Sequence, residues 1–184
     1  MRIISGEFRG RRLLSPLSDA TRPITDRAKQ SLFDSLSPAT AGSRVYDCFA
    51  GTGSMGLECL SRGAQFVTFF EADPPALALL KKNVQTLALE ARSQIVAGDL
   101  FRWFDAAGGP GLKTDLIFLD PPYRYVAQRP DDLRRLARQL ALHAAPDGIL
   151  IFRHDVRNEL ELPPFKEYQV RKYGKMAVEF LRAP

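Results

Sequence analysis

Asp120-Pro121-Pro122-Tyr123 brings a carboxylate, two fixed carbonyls and an aromatic ring into four consecutive positions. Two successive prolines donate no backbone N–H and hold their φ angles, so the carbonyls of Asp120 and Pro121 point outward beside the Tyr123 ring. That arrangement suits an exocyclic amine on a planar base. The Asp120 carboxylate and the Pro121 carbonyl can each accept one N–H, which aims the nitrogen lone pair at an electrophilic carbon while Tyr123 stacks on the base. The plainer reading is a Pro-Pro turn carrying a surface tyrosine; the apolar run Leu116-Ile117-Phe118-Leu119 just before it favours a site at a strand end.

A second stretch, Asp47-Cys48-Phe49-Ala50-Gly51-Thr52-Gly53-Ser54-Met55-Gly56, formally satisfies G-x-G-x-x-G. Small residues in this pattern let the backbone pass close to a ligand at a helix N-terminus. Glu71 follows Gly51 by 20 residues, where a carboxylate can accept hydrogen bonds from both ribose hydroxyls. These features alone fit NAD equally well. Asp47, ahead of the first glycine, shifts the balance, because a dinucleotide has no need of that charge whereas a ligand with an ammonium group does. S-adenosylmethionine has one. Asp99 is placed for an adenine amino group and equally as the N-cap of the residues from Leu100 onward, and the two roles are compatible.

These residues need a scaffold, and the apolar pattern supplies it. Thr25 is a candidate N-cap for a helix with the stripe Ala28, Leu32, Phe33 and Leu36. Strands are expected over 45–49, 66–70, 95–97, 116–119 and 148–152, alternating with helices over 55–60, 74–87, 100–104 and 133–142. Runs buried on both faces and alternating with helices imply a doubly wound parallel sheet. Tyr168 to Tyr173 and Met176 to Leu181 alternate with period two around Gly174-Lys175, as an antiparallel pair closing the sheet edge would. Arg2 to Leu14 reads as a β-hairpin with an arginine-rich tip, an appendage outside the core, followed by a polar linker from Ser15 to Arg22. A loop is expected at Gly108-Gly109-Pro110-Gly111.

The chain has 184 residues, 45% of them apolar, the size of one α/β domain with a sizeable core. No apolar run approaches the ~18–20 residues that span a bilayer, and the N-terminus lacks a secretory signal, so a cytoplasmic protein is expected. Cys48 and Cys59 are too few for a disulfide framework or a thiolate zinc site and read as buried thiols. His143 and His154 lack metal-ligand spacing and read as structural; no metal is expected. Trp103 reads as packing. The net charge of +5 is uneven: +4 over residues 1–30, −3 over 31–123 and +3 over 124–138. A slightly acidic centre between basic flanks fits a small cationic or neutral ligand held beside a polyanion. The same arginines would also serve as a solvated surface, and those at 134, 135 and 138 are read so.

The arginine-rich hairpin, Arg22-Pro23-Ile24-Thr25-Asp26-Arg27, Asp47-Cys48-Phe49-Ala50-Gly51-Thr52-Gly53, Asp120-Pro121-Pro122-Tyr123 and Arg171-Lys172-Tyr173-Gly174-Lys175 together resemble the bacterial small-subunit ribosomal RNA guanine-N2 methyltransferases of the RsmD type. The resemblance runs essentially end to end. Many members of that family carry Phe at the position of Tyr123, and either ring can stack. The fold implied is a class I S-adenosylmethionine-dependent methyltransferase: a Rossmann-like, seven-stranded, mostly parallel sheet with one antiparallel strand and an N-terminal β-hairpin extension. The activity implied is S-adenosylmethionine-dependent N2-methylation of one guanine in 16S rRNA, on the small subunit or its precursor. Carried over by position, Asp47, Gly51, Gly53, Glu71 and Asp99 hold the cofactor, with Phe49, Ala50, Gly56, Ala72 and Leu100 adjoining them, and Asp120, Pro121, Pro122 and Tyr123 hold the base.

On this reading residues 1–24 form an RNA-binding extension and 25–184 the methyltransferase domain. Arg9, Arg11, Arg12, Arg22, Arg27, Arg124, Lys172 and Lys175 would clamp the RNA backbone. A monomer is expected. The alternatives are a DNA adenine-N6 or cytosine-N4 methylase, for which little chain remains to recognise a target, and a cofactor-binding ribosome-assembly factor without catalysis, against which the intact tetrapeptide argues. A protein glutamine methylase would be expected to carry Asn at position 120.

Overall fold

Parallel pairing of buried apolar runs builds the centre of the molecule, in a computed structural model that describes residues 1–16, 24–106 and 112–184. Arg22, Pro23 and the glycine-rich stretch at 108–111 lie outside the described residues. The strands are β1 (Arg44–Cys48), β2 (Phe66–Glu71), β3 (Ser93–Ala97), β4 (Thr114–Leu119), β5 (Ala144–Asp155), β6 (Lys166–Tyr173) and β7 (Met176–Arg182). They form a seven-stranded sheet in the order β3-β2-β1-β4-β5-β7-β6. Neighbours from β3 to β5 pair in parallel, and β7 is antiparallel to both β5 and β6. The class I methyltransferase architecture expected from the sequence is thus the one observed.

The helices are α1 (Asp26–Thr40), α2 (Ser54–Ser61), α3 (Pro74–Thr86), α4 (Leu100–Ala106), α5 (Tyr123–Gln128) and α6 (Pro130–His143). Local chemistry starts two of them. Thr25 Oγ1 accepts from the Ala28 N–H at 3.2 Å, and Asp73 Oδ2 from Ala76 at 3.0 Å just before Pro74. Residues of α1, α2 and α3 pack one face of the sheet around Phe33, Leu57, Leu60 and Phe69, while α4, α5 and α6 pack the other around Phe70, Phe104, Leu136 and Phe152. No helix among the described residues is long and apolar enough to cross a membrane.

The N-terminal segment differs from the expected appendage. It does turn back on itself as a hairpin, with Leu13 N–H donating to the Met1 carbonyl at 3.1 Å, Ile3 to Arg11 at 3.0 Å and Gly10 to Ile3 at 2.9 Å around the Arg2–Arg12 bridge, but Ile3 and Leu13 are buried in the core beside α1 and α2. The reason is a buried carboxylate. Glu58 of α2 accepts from the backbone N–H groups of Ile4 at 2.8 Å and Ser5 at 3.0 Å, which satisfies two donors of the hairpin and docks it on the helix. Lys29 Nζ at 3.0 Å and Arg62 Nε at 2.8 Å complete the Glu58 cluster. The segment then returns along α3, where Asn83 accepts from the Leu14 N–H and donates to the carbonyls of Leu14 and Thr52.

Candidate active site

The order reverses at β1 and β4, and in open α/β sheets ligands lie outside the carboxyl ends of strands at such a point. Register sets the side chains there. Cys48 pairs with Leu119 and with Phe70, and Leu119 with Phe152, so the residues after β1 and β4, the end of β2 and Arg153 of β5 stand nearly level.

Asp47, the penultimate residue of β1, is 2% exposed, and its Oδ2 accepts from the Gly56 N–H in the first turn of α2 at 2.8 Å. Burial raises its pKa to about 7, the Gly56 hydrogen bond opposing and the nearby charges of Asp120 and Glu71 adding to the rise. A cation arriving at the strand mouth would favour the ionised form. The three fingerprint glycines have different jobs. A Cβ on Gly56 would lie 2.3 Å from the Phe69 ring, so its absence lets α2 seat on the sheet, and one on Gly53 would meet Leu80. At Gly51, with φ +57°, a Cβ would meet nothing within 4 Å, so this turn leaves open space above its backbone.

Glu71, at the end of β2, ties that loop down. Its Oε2 accepts from the Gly51 N–H at 2.6 Å and its Oε1 from Ala72 and Asp73 at 2.8 and 2.7 Å. The Ala50 N–H donates to the Phe70 carbonyl, which fixes the loop's first residue. Asp99 is exposed, and its Oδ1 accepts from the Phe101 N–H at 2.8 Å, which is the capping role of the two read from the sequence. Leu100 is buried in the core of that face.

Asp120 follows β4. Its carboxylate is gripped by a residue that sequence reasoning missed: Arg153 Nε donates to Oδ1 at 2.7 Å, and Nη2 meets Oδ2. Burial raises the pKa of Asp120 and the guanidinium opposes it. Arg153 stood out in no motif, because only the β4–β5 register brings it to Asp120. Pro121 is buried, whereas Pro122, Tyr123 and Arg124 are exposed. Pro122 caps the unanticipated helix α5, whose six residues are too few to show a periodic pattern.

An aromatic wall, also unanticipated, flanks the crevice. Phe49, in the left-handed region at φ 61°, sets its ring edge-on to Phe101 and Tyr125, each at 6.0 Å. The Arg129 guanidinium lies over both partners, at 4.4 and 4.9 Å. A strained non-glycine residue at a strand mouth is the kind of feature found beside ligands.

The two thiols, Cys48 and Cys59, are fully buried and held neutral by burial. His154 hydrogen-bonds Glu179 at 2.8 Å and the Asp155 carbonyl at 2.9 Å, and His143 meets the Tyr46 hydroxyl; both are structural contacts. Trp103 packs edge-on against Phe70 and Phe104. Among the described residues no three His, Cys, Asp or Glu side chains gather as metal ligands would.

The expected RNA contacts are spread over the molecule. Arg27, in the first turn of α1, and Lys172 and Lys175, at the β6–β7 turn, are exposed at the edge where the parallel strands end. Arg9, Arg11 and Arg12 are also exposed, but the turn carrying Arg9 lies against Ser61 at the far end of α2, where Phe8 and Glu7 donate to Ser61. Arg12 returns toward the site beside Arg2.

Residues 1–182 match the family model described as Conserved hypothetical protein 95. The chain is 37% identical over 163 residues to the Bacillus subtilis protein YlbH, covering 89% of this chain and 86% of that one. It is 39% identical over 124 residues to ribosomal RNA small subunit methyltransferase D of Escherichia coli K12, covering 67% of this chain and 61% of that enzyme's length. Among solved structures, the Escherichia coli protein yhhF superposes with a TM-score of 0.84 and 29% identity, over 100% of this chain and 97% of that one. An RNA methyltransferase from Salinibacter ruber in complex with S-adenosyl-L-homocysteine shares the fold, with a TM-score of 0.65 at 14% identity over 88% and 94% of the two chains. With a match along almost its whole length and a relative aligned over most of both chains, this protein belongs to the Conserved hypothetical protein 95 family, the methyltransferases of the RsmD type.

Proposed function

We propose that this protein transfers a methyl group from S-adenosylmethionine to the N2 amine of a guanine in small-subunit ribosomal RNA. The observation that carries the reading is the juxtaposition, across the β1/β4 reversal, of a buried carboxylate under a glycine loop and an Asp-Pro-Pro-Tyr turn. The residues fit the cofactor: Asp47 suits an ammonium group, and the space above Gly51 leaves room for a ligand at the backbone. Glu71 would accept from ribose hydroxyls, and Asp99, Ala72 and Leu100 would border the adenine, with Phe49, Ala50, Gly53 and Gly56 shaping the loop.

When bound, S-adenosylmethionine supplies a methyl group on a sulfonium sulfur, which retains the bonding pair as the methyl leaves. The chain's own residues position the acceptor. Asp120 and the Pro121 carbonyl accept the two amine N–H groups, which directs the nitrogen lone pair out of conjugation with the ring and toward the methyl carbon. Pro122 holds the turn rigid and Tyr123 stacks on the base after it leaves its helix. A general base is not required, because the methylated nitrogen loses its extra proton to water. Arg27, Arg124, Lys172 and Lys175 face the phosphates around the site, Arg9, Arg11, Arg12 and Arg22 extend the contact, and the protein acts as a monomer in the cytoplasm.

The choice of the guanine amine is supported by the resemblance, and that of the small subunit also by the name of the Escherichia coli relative. The experiment is radiolabel transfer from S-adenosylmethionine to small ribosomal subunits from a strain lacking this protein, followed by nucleoside analysis. Labelled N2-methylguanosine is expected. Label in N6-methyladenosine would move the target to another base, and label confined to DNA or protein would overturn the reading.

A further inference from the structure

Asp120 must accept a hydrogen bond from an amine, so it must be an anion held in one plane. Its surroundings oppose that. The carboxylate is only 20% exposed and lies near Asp47 of β1, whose charge is in turn close to Glu71 at the end of β2. Burial beside a second carboxylate favours the neutral acid, whose hydroxyl would donate where an acceptor is needed. Arg153, from β5, is the cation that meets this carboxylate among the described residues, and its own surroundings are Asp120, Tyr123 and Asp47. It is 15% exposed, and Nε and Nη2 engage Oδ1 and Oδ2 separately. A two-point fork fixes the carboxylate plane and leaves each oxygen a further lone pair for an incoming N–H.

We propose that Arg153 is a positioning residue for methyl transfer: it holds the Asp120 carboxylate as an oriented anion, ready to accept the target amine. This rests on the amine-methylation reading above. A purely structural ion pair would also be lost on substitution, but its loss would lower the rate equally at every pH. A positioning role makes the loss depend on pH. Lys at position 153 keeps the charge but not the fork, so it separates the two contributions.

The test compares wild type, Arg153→Lys and Arg153→Met for single-turnover methyl transfer to small subunits between pH 5.5 and 9. Cofactor affinity is measured by calorimetry, and the Asp120 carboxyl is titrated by carbon-13 NMR, assigned by its absence in Asp120→Asn. For Arg153→Met the acidic limb of the rate profile is expected to move up by about one pH unit or more, with roughly tenfold loss for each unit on that limb. Partial recovery at high pH, an intermediate Arg153→Lys profile, a cofactor Kd within about threefold and a parallel shift in the carboxyl titration complete the expected result. A pH-independent loss, an unchanged titration or a faster Arg153→Met enzyme overturns the proposal. If Arg153→Met does not fold, the Arg153→Lys profile and titration decide it by the same criteria. Wild type that labels no RNA would refute the functional reading, while the carboxyl titration would still judge the Arg153–Asp120 coupling.

Discussion

Asp120 and Asp47 are both buried carboxylates, but the structure gives them different partners and hence different expected behaviour. Asp120 is paired with Arg153 and, in the proposed function, receives the acceptor amine, so Asp120→Ala is expected to reduce methyl transfer at least a hundredfold, the scale of losing a group that orients the reacting atoms. Cofactor affinity, measured by calorimetry, should stay within a few-fold; unchanged turnover would remove Asp120 from the chemistry. Among the described residues the Asp47 carboxylate has only the Gly56 N–H as its hydrogen-bond partner, and its pKa is raised to about 7. Raised above its value in the unfolded chain, it contributes stability that is full below about pH 4 and is lost as pH rises through about 7. An ammonium ion beside it favours the ionised form, so cofactor affinity should strengthen roughly fivefold from pH 6 to 7, below the range where an α-amino group itself deprotonates. Calorimetry in buffers of different ionisation enthalpy should detect proton release, and Asp47→Asn should flatten the dependence. A pH-independent affinity in the wild type would mean that no cation meets this carboxylate.

The N-terminal segment, α1 and α2 are joined through a few buried charges, and here the sequence was hardest to read. Glu58 is fully buried with Lys29 and Arg62 on its oxygens and two backbone N–H groups completing its shell. Lys29 also reaches Ser54, the first residue of α2, and Asn83 bonds both Leu14 and Thr52, so the segment is tied to both sides of the glycine loop. Apolar periodicity finds the stripe Ala28, Leu32, Phe33 and Leu36, but a lysine within that arc normally signals the edge of a stripe, and a buried one is intelligible only with its distant carboxylate in view. Strands β2 and β4 were legible for the opposite reason: both are buried on both faces, and Phe66 to Phe70 and Leu116 to Leu119 read as nearly continuous apolar runs. The candidate site divides the same way. Its motifs are local in sequence, whereas Arg153 and the Phe49–Phe101–Tyr125 wall depend on register and helix packing. Glu58→Gln leaves two buried cations without their counter-charge and should cost about 3–5 kcal/mol in urea unfolding. Trypsin should then cut faster after Arg9, Arg11 and Arg12. Unaltered stability and cleavage would show that the segment is held by Ile3 and Leu13 alone.

Charge over the whole molecule takes its meaning from the topology. Because β1 to β5 run parallel and β6 runs in the same direction beside β7, the ends of these strands and the β6–β7 turn share one edge with Asp120, and Lys172 and Lys175 lie there. Arg27 opens α1 at that same edge, since the helix must descend to reach the start of β1. The N-terminal segment spans the height of α2, roughly 12 Å for its eight residues, so its arginines are not equivalent. Arg12 stands beside Arg2 near the start of α2, whereas the turn holding Arg9 sits by Ser61 at the opposite end. In the proposed function, an RNA strand delivering a base to Asp120 would meet Arg11 and Arg12 before it could reach Arg9. Replacing both Arg11 and Arg12 with Ala should weaken binding to small subunits and reduce the slope of log affinity against log salt by about 1.5, because each lost phosphate contact releases fewer counterions. Arg9→Ala should change that slope by less than half as much. An Arg9→Ala change of half the double variant's or more would extend the RNA along the full height of α2, and an unaltered slope in the double variant would remove Arg11 and Arg12 from the interface.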